Sequence, residues 1–273
     1  MNISLITPKP FNPQKLLARK VNFQLSTDIP KIWHGNSLIM THFFNAINLF
    51  LPAFELMMVR VMKNQLNNIE DSEFKKQICG FIAQEASHSQ AHHQYNQILR
   101  KQGYKFEKLL KTTDFILTEI VEKRLGKQVS LATIAGFEHL TTLLAEIVLK
   151  VDMLEPAEFR MKELWKWHAA EEIEHSSLAF IYVQKINNSY WLRVLGGVLG
   201  AAIVVSFIAV GMLLLVLQER DSFSWKTLID LNKLLFTKYK LIPYSLKPFF
   251  EYFNFKFDSC NKDVYPLAEK VFI

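Results

Sequence analysis

Two short stretches carry residues that can bind metal ions at helical spacing. In Trp167-His168-Ala169-Ala170-Glu171-Glu172-Ile173-Glu174-His175, a helix turning about 100° per residue puts His168, Glu172 and His175 within roughly 60° of one another. The stretch Gln84-Glu85-Ala86-Ser87-His88-Ser89-Gln90-Ala91-His92 repeats the Glu-x-x-His spacing and adds His92 on the same stripe. Imidazole and carboxylate groups suit divalent transition ions. Two such helices, each beside a further helix that supplies a glutamate, are the pattern of a bundle that holds a pair of cations. A single Glu-x-x-His is by itself an ordinary surface pair, so the partner glutamates decide the matter.

The elements that must position these residues follow from periodicity and breakers. Residues 1–35 contain Pro8, Pro10, Pro13 and Pro30 and read as an irregular arm. A first long helix is expected from about Ser37 to Lys63, bent at Pro52, which frees the carbonyl four residues back. It carries Glu55 and a polar line of Thr41, Asn45 and Asn48, either locally satisfied or lining a channel to Glu55. A second helix runs to about Gln102 and stops at Gly103. A crossover with a short helix near 114–125 leads to a third helix over about 130–152. After a turn at Glu155-Pro156, a fourth helix is expected from Pro156 to about Ile186.

Register then selects the glutamates. In an antiparallel hairpin, residues equally far from the turn lie level. The midpoint of positions 55 and 85 is 70, within the polar turn at Glu70. Position 172 pairs with 138 about a midpoint of 155, at the Glu155-Pro156 turn, whereas pairing with Glu146 gives 159. Glu55, Glu85, Glu138 and Glu172 thus sit level about 22 Å from their turns, at 1.5 Å per residue. Four buried carboxylates are costly unless neutralised, and two divalent cations would balance them. His88, His175 and His168 are the candidate imidazole ligands. His92 could be a ligand, a partner of a ligand, or a core residue. Tyr95 lies on the Glu85 stripe as a neighbour or core residue, and His139 reads as packing.

Composition sets the broader bounds. The chain has 273 residues, half of them hydrophobic, with nine glycines and nine prolines, which favours long helices over a turn-rich β fold. The net charge of +6 comes from scattered lysines and arginines, a weak basis for nucleic-acid binding and a better one for an anionic membrane surface. Cys79 and Cys260 form no metal or disulfide spacing, which suits a reducing compartment. The start, Met1 to Leu5, lacks signal-peptide character, so the metal domain is expected in the cytoplasm.

Taken together, Ile32-Trp33, Thr41, Asn45-Ala46, Pro52, Glu55, Gln84-Glu85-x-x-His88-x-x-x-His92-x-x-x-Asn96, Phe137-Glu138-His139 and His168-x-x-x-Glu172-x-x-His175 resemble the bacterial family of predicted metal-dependent hydrolases, from Ile32 to the apolar segment. The metal pattern is also similar to ferritin-like di-iron carboxylate proteins. Its last helix resembles that of the di-iron N-oxygenases of aryl amines, in which the additional histidine is an iron ligand. Carried over, that resemblance implies Glu55, Glu85, His88, Glu138, His168, Glu172 and His175 as ligands. His92, Asn45 and Tyr95 are the further candidates, as ligands or as partners of ligands. The long apolar tail departs from a soluble N-oxygenase.

From Val194 to Leu217 no residue is charged, and such a helix would be about 36 Å long, enough to cross a bilayer core of about 30 Å. Tyr190 and Trp191 stand at one end as interfacial aromatics do, and Gly196 and Gly200 permit close packing. The alternatives are a buried fifth helix or a homodimer interface. Lysines and arginines beyond the segment want the cytoplasm, as does the metal domain. A re-entrant or interfacial insertion satisfies both better than a transmembrane span.

The expected architecture is therefore all-α: a ferritin-like four-helix bundle over 36–189 with a crossover, an arm over 1–35, an apolar membrane-embedded helix over 190–218 and a basic-aromatic helical tail over 219–273. The first functional expectation is a di-iron oxidoreductase, with manganese as the other metal, that activates dioxygen to oxidise an apolar small molecule with electrons from a donor. The second is a di-metal hydrolase, in which paired ions activate water. The third is a non-catalytic, membrane-associated metal-binding protein.

Overall fold

A computed structural model of the chain describes residues 16–220, 222–259 and 264–272. The expectations for Pro8, Pro10, Pro13, Cys260 and the first five residues lie outside the described residues. Among the described residues the fold is all-α with no strand, and His34 and Ala157 form an isolated bridge.

Helix α1 spans Leu38–Lys63, started by Ser37, whose side chain accepts from the Met40 amide. Pro52 lies inside it. The Asn48 carbonyl, deprived of its helical donor by that proline, receives Asn96 Nδ2 in a long contact of 3.5 Å. Helix α2 spans Ser72–Lys101, with Asp71 capping its first amides, and the chain leaves it through Gly103 at φ +97°. Asn48 Nδ2 donates to the His92 carbonyl at 3.2 Å. Positions 48 and 92 share the midpoint of 55 and 85, so the first hairpin has the expected register.

The crossover is more helical than its sequence suggests. Helix α3 covers Glu107–Phe115 and continues as a π-type turn over Ile116–Arg124, ended by Gly126 at φ +79°. Helix α4 spans Lys127–Lys150. The continuous fourth helix expected over 156–186 is two helices, α5 at Phe159–His175 and α6 at Leu178–Ile186. Pro156 stays in the turn, and Glu158 caps α5 by accepting from the Met161 amide. The break falls at Ser176-Ser177, where hydroxyl groups compete with the helical ladder. Ser177 Oγ donates to the Ser259 carbonyl at 3.2 Å, outside its helix.

Helix α7, Tyr190–Val216, packs lengthwise on α4 and α1. The contact depends on small residues. A Cβ on Gly196 would lie 2.2 Å from the Ala132 carbonyl oxygen, and one on Gly136 would lie 2.6 Å from that of Gly196. Further along, Phe207 stacks near Phe50 and Gly211 faces Ala46. The buried-helix alternative thus holds for one face of α7. The opposite face, with Leu195, Val198, Val205, Val210 and Leu213, is exposed. Among the described residues, three helical stretches are long and apolar enough to cross a membrane, Leu38–Asn68, Lys127–Lys150 and Tyr190–Val216, and the first two are largely buried. The tail forms α8 (Trp225–Asn232), α9 (Leu241–Glu251) and α10 (Tyr265–Phe272), with α10 covering Ala169, Ala170 and Ile173 of α5.

Candidate metal centre

Four helices deliver the acidic and imidazole groups to one buried region. Glu55 comes from α1, Glu85, His88 and His92 from α2, Glu138 from α4, and His168, Glu172 and His175 from α5, all buried. Two sets of ligand atoms converge within 4.8 Å: Glu85, His88, Glu172 and His175 in one, and Glu55, His88 and His168 in the other. A ring nitrogen has one lone pair, so His88 can serve only one of two ions at a time.

His88, His168 and His175 each have one nitrogen held by a specific partner, which leaves the other for the carboxylates of the cluster. His88 Nε2 lies 3.0 Å from Glu171 Oε2, while its Nδ1 faces Glu172 Oε1 at 3.6 Å and Glu85 Oε2 at 3.8 Å. His175 Nδ1 lies 2.9 Å from Glu138 Oε2, and its Nε2 faces Glu85 Oε1 at 3.1 Å. The third case runs through a relay. Asn48 uses its amide nitrogen on Asn96 Oδ1 and the His92 carbonyl, so Asn48 Oδ1 accepts from His92 Nδ1 at 2.7 Å. His92 Nε2 is then an acceptor, and His168 Nδ1 donates to it at 3.1 Å. That leaves a bare His168 Nε2 directed at Glu172 Oε1, 3.5 Å away. Outer partners that fix the tautomer and ring orientation are a regular feature of histidine metal ligands.

The donor set tests whether cations fit. Both oxygens of Glu55 and of Glu85, one oxygen each of Glu138 and Glu172, His88 Nδ1 and His175 Nε2 are buried without a hydrogen-bond partner. Buried polar atoms are seldom left so, and cations would satisfy them all. Burial first, then the Glu85 charge, holds the Glu55 carboxyl well above its ordinary range. Glu138 is pushed up to about 8 by burial, against the pull of His175. Burial would also raise Glu172, but the imidazole groups of His88, His168 and His175 beside it outweigh that and bring it down. Burial, then the His88 ring beside it, lowers His168 to about 4, which keeps its ring neutral and able to ligate. Burial would lower His88 and His175 too, but the carboxylates around them outweigh it and raise both, so a cation must displace a proton from each. The chemistry of these residues fits divalent cations.

Glu146, rejected by register, lies apart from the cluster and pairs with Lys150 at 3.2 Å. His139 packs on Tyr252 and its Nε2 meets the Pro248 carbonyl. Asn45 and Tyr95 belong to neither convergent set. Asn45 Oδ1 accepts from Trp33 Nε1 at 3.0 Å and from the Tyr95 hydroxyl at 3.2 Å, so Tyr95 is a bonded core residue. Thr41 accepts from the His34 amide. The polar line on α1 is satisfied chiefly by Trp33, His34 and residues of α2 rather than within its own helix, and of its three members Asn48 reaches the cluster, through His92.

Four contributors were not foreseen. Glu171 binds His88 and also Arg19 Nη1 at 3.0 Å, and Arg19 reaches Glu174 at 2.6 Å. Gln84 Nε2 donates to Glu174 at 2.8 Å. Glu171 was visible as a second carboxylate beside Glu172, but Arg19 sits in a segment without periodicity, which gave no signal.

A family model described as predicted metal-dependent hydrolase matches residues 17–263. No curated protein and no solved structure matches, so the similarity to aryl-amine N-oxygenases has no support there. The match overturns the first functional expectation. A dioxygen-activating di-iron oxidoreductase gives way to the hydrolytic alternative, because buried glutamates and histidines serve both chemistries and the ligand pattern alone does not separate them.

Proposed function

The chain belongs to the family of predicted metal-dependent hydrolases, and from that premise we propose that it hydrolyses a small-molecule substrate at two divalent cations held by Glu55, Glu85, His88, His168, Glu172 and His175. Glu138 joins them, since its Oε1 is buried with a free lone pair while its Oε2 orients His175. The observation that carries this reading is the pair of convergent ligand sets, which share His88 and are otherwise distinct. Four carboxylates balance two divalent charges. The donors are all oxygen and nitrogen, which suits manganese or iron(II) alike, and hydrolysis needs no change of oxidation state. When bound, such ions supply Lewis-acid polarisation of a substrate oxygen and acidify water. The residues do the rest: Glu171, Glu138 and His92 hold the three imidazoles in ligating tautomers, and the buried walls exclude bulk water. Metal analysis with a panel of carboxylic ester, amide and phosphoester substrates tests this. Turnover that requires about two equivalents of manganese or iron(II) supports it; stoichiometric metal uptake without turnover of any class favours a metal-binding protein instead.

We also propose that the outer face of α7 and the tail rest on an anionic bilayer. The exposed side chains Trp191, Phe223, Trp225, Phe250 and Phe255 lie in the same part of the chain as exposed Lys226, Lys233, Lys238, Lys240 and Lys247. Large apolar groups beside a cationic set suit an anionic interface. A second copy of this chain, itself at +6, is less complementary. A spanning α7 would drag its packed partners α1 and α4 into lipid, whereas an in-plane contact immerses only its exposed stripe.

A further inference from the structure

A narrow slot runs beside the cluster along the bundle axis. His168 and Glu172 form its inner end, and Phe44, Leu144, Trp165 and Ile208 are among its walls, drawn from α1, α4, α5 and α7. Its mouth is marked by Leu140, Thr141, Leu144 and Ile208, each half-buried. Access to the cluster is greatest at this end. The His168 and Glu172 side chains keep 7% and 3% exposure, while Glu55, Glu85, His88, Glu138 and His175 keep 1% or none. A larger cavity of about 310 Å³ lies between α4, α6 and the segment near Tyr252, but no cluster residue lines it.

We propose that the substrate is an acyl amphiphile, an ester or amide whose hydrocarbon chain lies in this slot with its scissile group at His168 and Glu172. This inference rests on the hydrolytic reading above. Besides those two residues, the polar groups on the residues that line the slot are the Thr141 hydroxyl and the Trp165 indole N–H, the latter buried without a hydrogen-bond partner; the rest of the lining is apolar. A sugar or nucleotide would leave most of its own polar groups unpaired there, which is costly, whereas each buried methylene is favourable. From Leu140 to Val148 the slot runs about 12 Å along α4 at 1.5 Å per residue, a span that matches a chain of middle length. It is narrow as it stands, about 40 Å³, and opens by rotation of the leucine and isoleucine side chains at the mouth. In the reaction, water adds to the acyl carbon and the bond from that carbon to the alcohol oxygen or amine nitrogen breaks. One proton of the water goes to the leaving group and the other is released with the acid. No oxidant or reductant is required.

The test compares p-nitrophenyl decanoate with p-nitrophenyl acetate on the metal-loaded full chain. Wild type is expected to favour decanoate in kcat/KM by tenfold or more, since even one methylene in an apolar pocket is worth about that much. Leu144→Trp should erase the ratio while metal content stays constant, and Ile208→Trp, from another helix, repeats the test should the first variant fold poorly. In parallel, cis-parinaric acid should bind metal-free wild type, with energy transfer from tryptophan, and bind both variants about tenfold more weakly. Acetate turnover with no chain preference, or equal parinaric acid binding by wild type and variants, overturns the slot proposal and leaves the hydrolytic reading standing. Parinaric acid binding that the variants weaken, with no hydrolysis of either ester by metal-loaded protein, upholds the slot and overturns the hydrolytic reading. Decanoate supplied as monomer or in phosphatidylglycerol vesicles separates a dissolved substrate from one drawn out of a bilayer.

Discussion

His88 Nε2 and Glu171 Oε2 lie 3.0 Å apart with both side chains buried, and this contact sets which nitrogen of His88 faces the carboxylates. With Nε2–H donated to Glu171, Nδ1 is left to bind a cation. Glu171 is itself anchored by Arg19. Its carboxyl sits below the ordinary range, because the hydrogen bonds and charges of His88 and Arg19 outweigh the effect of burial.

Glu171→Leu is therefore expected to weaken manganese binding by about 10–100-fold, the usual effect of removing the outer partner of a ligating histidine. Glu171→Gln, whose amide oxygen still accepts, should recover much of that loss. Calorimetric titration of the three proteins measures it. Equal affinity in all three would show that Glu171 leaves the His88 ring unconstrained.

Glu138→Ala removes both the acceptor for His175 Nδ1 and the unpaired Oε1. At least one equivalent of metal should be lost. Glu146→Ala removes the contact with Lys150 from a residue that belongs to neither convergent ligand set, and should leave metal content intact. Elemental analysis of the two variants after identical loading decides this, and the same loss in both would refute the assignment of Glu138.

The gathering of these side chains into one buried region was legible in the sequence because two independent constraints agreed. Helical spacing aligned His168, Glu172 and His175, and equal distance from a turn separated Glu138 from Glu146. Both constraints are local or nearly so. The break at Ser176-Ser177 was hidden, because the apolar pattern carries on from α5 into α6 and two serines are a weak stop. The start of the crossover helix at Glu107 was missed for a similar reason, there being no cap by a side chain from the preceding residue. Arg19 acts across 152 positions, and no spacing rule reaches that far. The outward pairing of the tautomers depends on which way an amide or carboxylate points, which spacing cannot give. The chemistry was illegible for a different reason, since one ligand set suits oxygen activation and hydrolysis equally.

Gly196 sits where α7 crosses α4, and a Cβ there would lie 2.2 Å from the Ala132 carbonyl oxygen and 2.3 Å from its carbonyl carbon. Backbone cannot yield as a side chain can, so Gly196→Ala should cost about 1–3 kcal/mol through overpacking. Val198→Ala, on the exposed face of the same helix, should change stability by no more than about 0.5 kcal/mol. Thermal denaturation in vesicle-free buffer checks both, and a neutral Gly196→Ala would mean that α7 is not held this closely.

The outer face of α7 and the tail should bind vesicles containing phosphatidylglycerol better than vesicles of phosphatidylcholine alone. Near an anionic surface each lysine contributes about 1 kcal/mol. Replacing Lys238, Lys240 and Lys247 by glutamine should thus release about 3 kcal/mol of attraction, enough to abolish co-sedimentation at modest lipid concentration. The electrostatic share is screened beyond about 10 Å at 0.1 M salt, so added salt should weaken the wild type toward the behaviour of the triple variant. Trp225→Ala removes apolar contact instead and should weaken binding to both lipids alike. Vesicle binding that ignores both salt and the lysine substitutions would point to an inserted apolar helix. Absence of vesicle binding, with a concentration-dependent dimer in sedimentation, would assign the exposed face to a second copy of the chain.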